Sequence, residues 1–299
     1  MGAGSIYLAM LLFSLTPLIV FIMSFIMIPV VMLYVKLSKK SFWIYNVIIL
    51  LLVNVVTYGI GMGAAGTYLT LMSLFFLIPS VVIGHFYKSK TPAKNVVVAG
   101  GLVLLGEVVL LLLFISLSGV NVTMDMKEMV QQSMATLPVE VQNAFSKDVM
   151  NGFVDTVVKM LPLYMIWFST YFITVTHWVS RRLLNKRGES IPGLKPIREW
   201  KLPGSLIWYY IGAIILDFFF VHNTDSTLYM ILINLLPILM FVFSLQAISF
   251  FFFLAHVKGR GRGLPITALV LMLIFPPLQQ IFALLGMFDI AFPIRERLR

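Results

Sequence analysis

The chain has 299 residues, 60% hydrophobic and 11% charged, with no cysteine and a formal net charge of +10. A soluble domain carries about a quarter charged residues, so this balance excludes one and describes a chain lying mostly inside a bilayer. The missing cysteines exclude disulfides, thiolate metal sites and cysteine nucleophiles, and long unbroken apolar runs select helices over a barrel.

The positive charge is a topology signal. Sixteen of the 22 Lys and Arg residues fall in four short clusters between apolar segments, at 36–40, 88–94, 181–201 and 258–262. The positive-inside rule places all four clusters in the cytoplasm. Such a surface attracts anionic lipid headgroups at the inner face. No nucleic-acid-binding motif is present, so nucleic acid is not an expected partner. The amino terminus lacks the basic region of a cleavable signal peptide.

Residues 5–35 are apolar but too long for one span, reaching roughly 46 Å at 1.5 Å per residue against a hydrocarbon core of about 30 Å. Pro17 and Pro29 interrupt them. They form either a short first helix, a turn and a second span from about 18, or one tilted, kinked helix. Residues 41–60 then leave the cytoplasm, with Trp43 and Tyr45 at the inner interface. A glycine-dense turn at 59–66 reverses the chain into residues 66–84. Residues 95–118 leave again, carrying Glu107.

The one sizeable outer segment, 119–157, has an acidic balance (Asp125, Glu128, Glu140, Asp148 and Asp155 against Lys127 and Lys147). Apolar residues recur every three or four positions on either side of Pro138, which predicts two short amphipathic helices on the outer surface. Residues 158–180 return to the longest basic connector, 181–203. It holds seven Lys/Arg, among them Arg181, Arg182, Lys186, Arg187, Arg198 and Lys201, against Glu189 and Glu199. Those six are the candidate contacts for anionic lipid or a cytoplasmic partner. Residues 204–222 leave, 222–226 turn, and 227–256 come back as a long span containing Pro237.

The final segment, 264–288, is interrupted at Pro276 and Pro277. Simple alternation places the tail outside, although Arg295, Arg297 and Arg299 favour the inside; a re-entrant segment is the alternative. Together these segments predict an all-α, polytopic transmembrane helical bundle of about eight or nine spans. It forms a single integral membrane domain over 1–299 with the short amphipathic outer segment.

Few residues carry chemistry. Glu107 lies in the apolar run GGLVLLGEVVLLLLF, where an ionisable group costs roughly 2.5–3.5 kcal/mol on insertion scales and is a functional candidate by default. It binds a cationic ligand or a proton, or it is a protonated group bonded to a neighbouring helix. Asp217 sits nearer the outer face. Asn234 and Gln246 lie in the 227–256 span, where helix-to-helix bonding competes with ligand contact. His85, His177 and His256 each read as interfacial anchors, and Asp289 with Arg295 as an outer-interface salt bridge. No HExxH, GxSxG, kinase-like set or phosphate loop is present. Neither an enzyme nor a cofactor or metal site is therefore expected.

The connector PGLKPIREWKLP (192–203), the segment SLQAISFFFFLAH (244–256) and the ending LLGMFDIAFPIRERLR (284–299) resemble the YybS-like bacterial membrane proteins. These are a family of predicted membrane proteins of unknown function. The resemblance runs from LTPLIV (15–20) to the end. That family is in turn distantly similar to the substrate-binding S components of energy-coupling-factor vitamin transporters. The resemblance implies a bacterial plasma-membrane protein that binds or transports a small molecule, with Glu107, Asp217 and Gln246 near an outer-facing cavity. It also implies partner ATPase and transmembrane coupling subunits, since the chain has no ATPase motif. The other reading is a membrane scaffold that docks a cytoplasmic partner through 181–203.

Overall fold

The computed structural model describes residues 2–136, 147–220, 226–292 and 294–298. All regular structure among them is helical. The helices are α1 (Gly2–Phe13), α2 (Ile19–Met23), α3 (Met27–Lys36), α4 (Lys39–Gly59), α5 (Gly63–Lys88), α6 (Ala93–Leu117), α7 (Val122–Ala135), α8 (Lys147–Lys159) and α9 (Leu161–Asn185). They continue with α10 (Leu206–Phe220), α11 (Thr227–Val257), α12 (Gly263–Ile274), α13 (Pro276–Ala291) and a final turn α14 (Ile294–Arg297).

Five segments are long and apolar enough to cross a membrane: Ile19–Lys36, α4, α5, α6 and α11. A sixth is the pair α8–α9, bent by 52° at its break. Helices α1, α10 and α12 are apolar but shorter. Against the expected eight or nine spans, five among the described residues are of full length, or six with the bent pair taken as one; the other apolar segments are divided or shorter. Residues 5–35 are not one kinked helix: the chain breaks after Phe13, and Ile19–Lys36 forms the span.

The chain divides into two compact units, Met1–Val120 with Met165–Leu194, and Asn121–Tyr164 with Lys195–Arg299. The connector is shared between them. In the first unit α3 is the central helix. Every residue from Met27 to Tyr34 is buried, as suits a helix apolar on all sides. Its neighbours fit closely: a methyl group on Gly84 of α5 would meet the Tyr34 ring at 2.6 Å. Tyr7 of α1 satisfies its buried hydroxyl on Ser73 of α5. The outward face of α4 stays apolar and exposed, with Val47, Leu51 and Val55 at 55%, 60% and 68%. That is the composition a lipid-facing surface needs. The turn after α4 is tight because Gly61 adopts φ +77°, a conformation glycine takes without strain.

In the second unit α11 is the organising element. Ser226 caps its start by accepting from the Tyr229 N–H at 3.1 Å. Its partner is α13. The two backbones come so close that a methyl group on Gly286 would lie 1.8 Å from the Phe243 carbonyl oxygen. Ser244 bridges the same interface by donating to the Gln279 carbonyl at 2.8 Å. Asn234 accounts for the bend between α8 and α9: its amide donates to the Lys159 carbonyl at 2.8 Å, and its oxygen accepts from the Leu163 N–H at 2.9 Å. Those are the backbone groups that a helix break frees. In the segment expected to carry two amphipathic helices, α7 and α8 are joined by Lys127–Asp155 at 2.9 Å. The helix expected from Pro138, and the turn at 221–225, lie outside the described residues.

The final apolar segment does not cross as one helix. It breaks at Phe275, with Pro276 opening α13, as proline at a first helical position allows.

Candidate functional site

Both units hold buried polar groups beyond those that join helices. In the second unit a cluster of them is closed on itself. Asp289, with its side chain 0% exposed, faces Arg295 at 11%. Arg295 donates to the carboxylate from Nε at 2.9 and 3.0 Å and from Nη2. The planar guanidinium fork matches a carboxylate in this way. Arg295 Nη1 donates to the Arg198 carbonyl at 2.9 Å, and Nη2 also reaches Ser249 Oγ at 3.1 Å. Gln246 donates to Asp289 from Nε2 and accepts the Leu202 N–H on Oε1 at 3.1 Å. Ser249 donates to the Trp200 carbonyl at 2.8 Å.

This cluster joins the connector, α11, α13 and the tail. The tail therefore lies beside the basic connector and on its side of the membrane. The contact departs from the simple alternation that placed the tail outside, and it fits the re-entrant alternative for the segment before it. Counting crossings failed because 12 and 16 residues reach only about 18 and 24 Å, short of a core of about 30 Å.

In the first unit several buried polar atoms have no hydrogen-bond partner. Both carboxylate oxygens of Glu107 are buried and have no hydrogen-bond partner. The same is true of Ser169 Oγ, Thr176 Oγ1, His177 Nε2 and Ser180 Oγ on α9. Positions 169, 176, 177 and 180 recur at helical spacing and mark one stripe of that helix. His177 is not the expected interfacial anchor: it is buried, and its Nδ1 pairs with the Tyr87 hydroxyl at 2.9 Å. Glu107 lies seven residues after Gly100, on the same face of α6. At Gly100 an added methyl group would meet Ile173 of α9 at 3.2 Å and Ile83 of α5 at 3.3 Å, so that face is turned to both helices. A cavity of about 310 Å³ runs between α6 and α9, lined by Val97, Gly101, Leu105, Ile166, Ser169 and Thr170.

Of the three residues expected near one cavity, Glu107 belongs to the first unit, and Asp217 and Gln246 to the second. Gln246 is held by the connector and Asp289. Asp217 is half-buried, eleven residues along α10 from Leu206, and does not join that cluster. The connector cations divide in use. Arg181 donates to the Ile191 carbonyl at 3.0 Å, Arg182 lies 3.9 Å over the Trp178 ring, and Arg198 Nε is 4.0 Å from Glu199. Lys186, Arg187 and Lys201 are exposed. Among the described residues, no three His, Asp or Glu side chains gather as a metal site.

Sequence reasoning missed the Ser169–Thr176–Ser180 stripe, although its spacing of seven and four was visible. It also missed Ser249 and the pairing of Gln246 with Asp289, which no local pattern signals.

A family model described as "Predicted membrane protein (DUF2232)" matches residues 5–290. The protein titled "Uncharacterized protein YybS" of Bacillus subtilis (strain 168) is 26% identical over 226 residues, covering 73% of each chain. No solved structure matches.

Proposed function

We propose, for a chain that belongs to the DUF2232 family of predicted membrane proteins, that it is a small-molecule binding subunit of a bacterial plasma-membrane transporter. The observation that carries this reading is Glu107. Nearly all buried polar groups in proteins have a partner, and an exception points to an absent ion, water or ligand. Here two carboxylate oxygens are buried without one, in a helix whose environment penalises charge. Hydroxyls on α9 share the condition; of these Ser169 lines the mostly apolar cavity between α6 and α9, whose wall ends at Leu105, two positions before Glu107. That combination suits a small ligand with an apolar body and a cationic or proton-donating group. Energy would come from partner ATPase and coupling subunits, because the chain has no nucleotide motif.

Glu107→Gln keeps the shape and removes the charge. It will weaken binding of the small molecule that co-purifies with the protein by about 1.5–3 kcal/mol, the usual worth of a hydrogen bond to a charged group. Native mass spectrometry of gently extracted protein measures this, and the elution profile on size exclusion will be unchanged. Retention of the same molecule at the same occupancy would remove Glu107 from the site.

A second reading is a scaffold that docks a cytoplasmic partner. The exposed cations Lys186, Arg187 and Lys201 favour it. Under that reading a co-purifying protein leaves when these three are neutralised, and Glu107→Gln has no effect on its recovery.

A further inference from the structure

The loop between α11 and α12 has no role in the binding reading above, yet it builds a defined concavity. After α11 the chain turns through Gly259 at φ +60°, and the Arg260 N–H closes the turn on the Ala255 carbonyl at 2.8 Å. Arg262 then stands immediately before α12, and its side chain makes no capping bond. The loop meets the short turn Ile197–Glu199 of the connector around a cavity of about 280 Å³. Arg198, His256, Arg260 and Arg262 supply its polar lining, and Ile197 and Phe252 part of its apolar wall.

No carboxylate lines this cavity. Glu199 is 4.0 Å from Arg198, and Asp289 is already taken by Arg295. Among the described residues, Arg260 and Arg262 form no ion pair. The first hydrogen bond of α12 runs from the Ile266 N–H to the Arg262 carbonyl at 3.1 Å. The amides of Gly263 and Leu264 therefore have no intrahelical acceptor, and the positive end of the helix dipole adds to the arginine charge.

We infer that this pocket binds a phosphate group, and that its source is the headgroup of an anionic membrane phospholipid. Three guanidinium groups beside a helix start match phosphate oxygens in number and geometry. The apolar wall favours a lipid over inorganic phosphate, which would leave Ile197 and Phe252 unused. The 258–262 cluster also lies on the inner side of the bilayer, where anionic headgroups concentrate.

The test titrates phosphatidylglycerol, and separately inorganic phosphate, into the full chain in a zwitterionic detergent, reading occupancy by native mass spectrometry. Each basic side chain near an anionic surface is worth about fivefold, so Arg260→Gln with Arg262→Gln will weaken phosphatidylglycerol binding about 25-fold. Lys39→Gln with Lys40→Gln removes the same charge from another inner loop and will change it far less. Phe252→Ala will weaken the lipid and leave inorganic phosphate unchanged. Equal losses in the two charge variants would overturn the pocket in favour of diffuse surface attraction, and so would no loss in the first. If inorganic phosphate binds as tightly as the lipid and is lost in the first variant, the phosphate site stands and the lipid source falls.

Discussion

Replacing Arg295 with Met will destabilise the protein by about 3–5 kcal/mol, the usual consequence of removing one partner from a buried ion pair. Asp289 has no exposure left through which water could take over, and Gln246 can offer it only one neutral donor in place of a guanidinium fork. The substitution also strands the Arg198 carbonyl and the Ser249 hydroxyl, both of which Arg295 serves. Asp289→Asn alone will have an effect of the same sign, because it leaves the guanidinium of Arg295 without its counter-charge. The double variant, Asp289→Asn with Arg295→Met, will be less damaged than either single, since neither charge is then left alone. The measurement is the temperature at which the monodisperse peak is lost on size exclusion after heating. An unchanged midpoint in Arg295→Met would mean that the cluster does not stabilise the fold.

Gly286→Val will be the most damaging single change between α11 and α13. A side chain there points at backbone: the Phe243 carbonyl oxygen at 1.8 Å, its carbon at 2.8 Å and the Ala247 nitrogen at 3.0 Å. No rotamer relieves such a contact, so the helices must separate. Overpacking of this kind typically costs about 1–3 kcal/mol and sometimes more. Here the upper end is expected, because separation also pulls Ser244 from the Gln279 carbonyl and Gln246 from Asp289. Gly286→Ala will show the same effect more mildly. Gly212 in α10 is the internal control, since nothing lies within 4 Å of a methyl group placed there. Gly212→Ala will hold or raise stability, by up to about 1 kcal/mol from helix propensity. The same heating assay ranks all three. A Gly286→Val protein as stable as Gly212→Ala would rule out the close approach.

The long spans were legible because length and apolarity are local properties. The runs at 41–60, 66–84, 95–118 and 227–256 reappear as α4, α5, α6 and α11, shifted by a few residues at their ends. Glu107 was legible for the same reason, as one charge in an apolar run. The unpartnered hydroxyls of α9 were not, because serine and threonine usually satisfy themselves on the preceding helical turn, and nothing in the sequence shows that Ser169, Thr176 and Ser180 do otherwise. The contact between tail and connector departs from simple alternation for a geometric reason. Alternation counts every apolar segment as a crossing, and the chain instead breaks at Phe275. The Asp289–Arg295 pair was legible from its spacing, but Gln246, Ser249 and the connector carbonyls were not, because they are drawn to it only by the α11–α13 packing.

That cluster also orders events in time. Arg295 closes on the Arg198 carbonyl across 97 positions of chain, and contacts of such long range form late, after the entropy of closing the intervening loop has been met. Until α11 and α13 have inserted and docked, Trp200 and Leu202 lack their side-chain partners. Until then the stretch around 198–202 keeps only its local bonds, Glu199 N–H to the Pro196 carbonyl and Trp200 N–H to the Ile197 carbonyl. Its ordering is one of the last steps by which the second unit becomes complete.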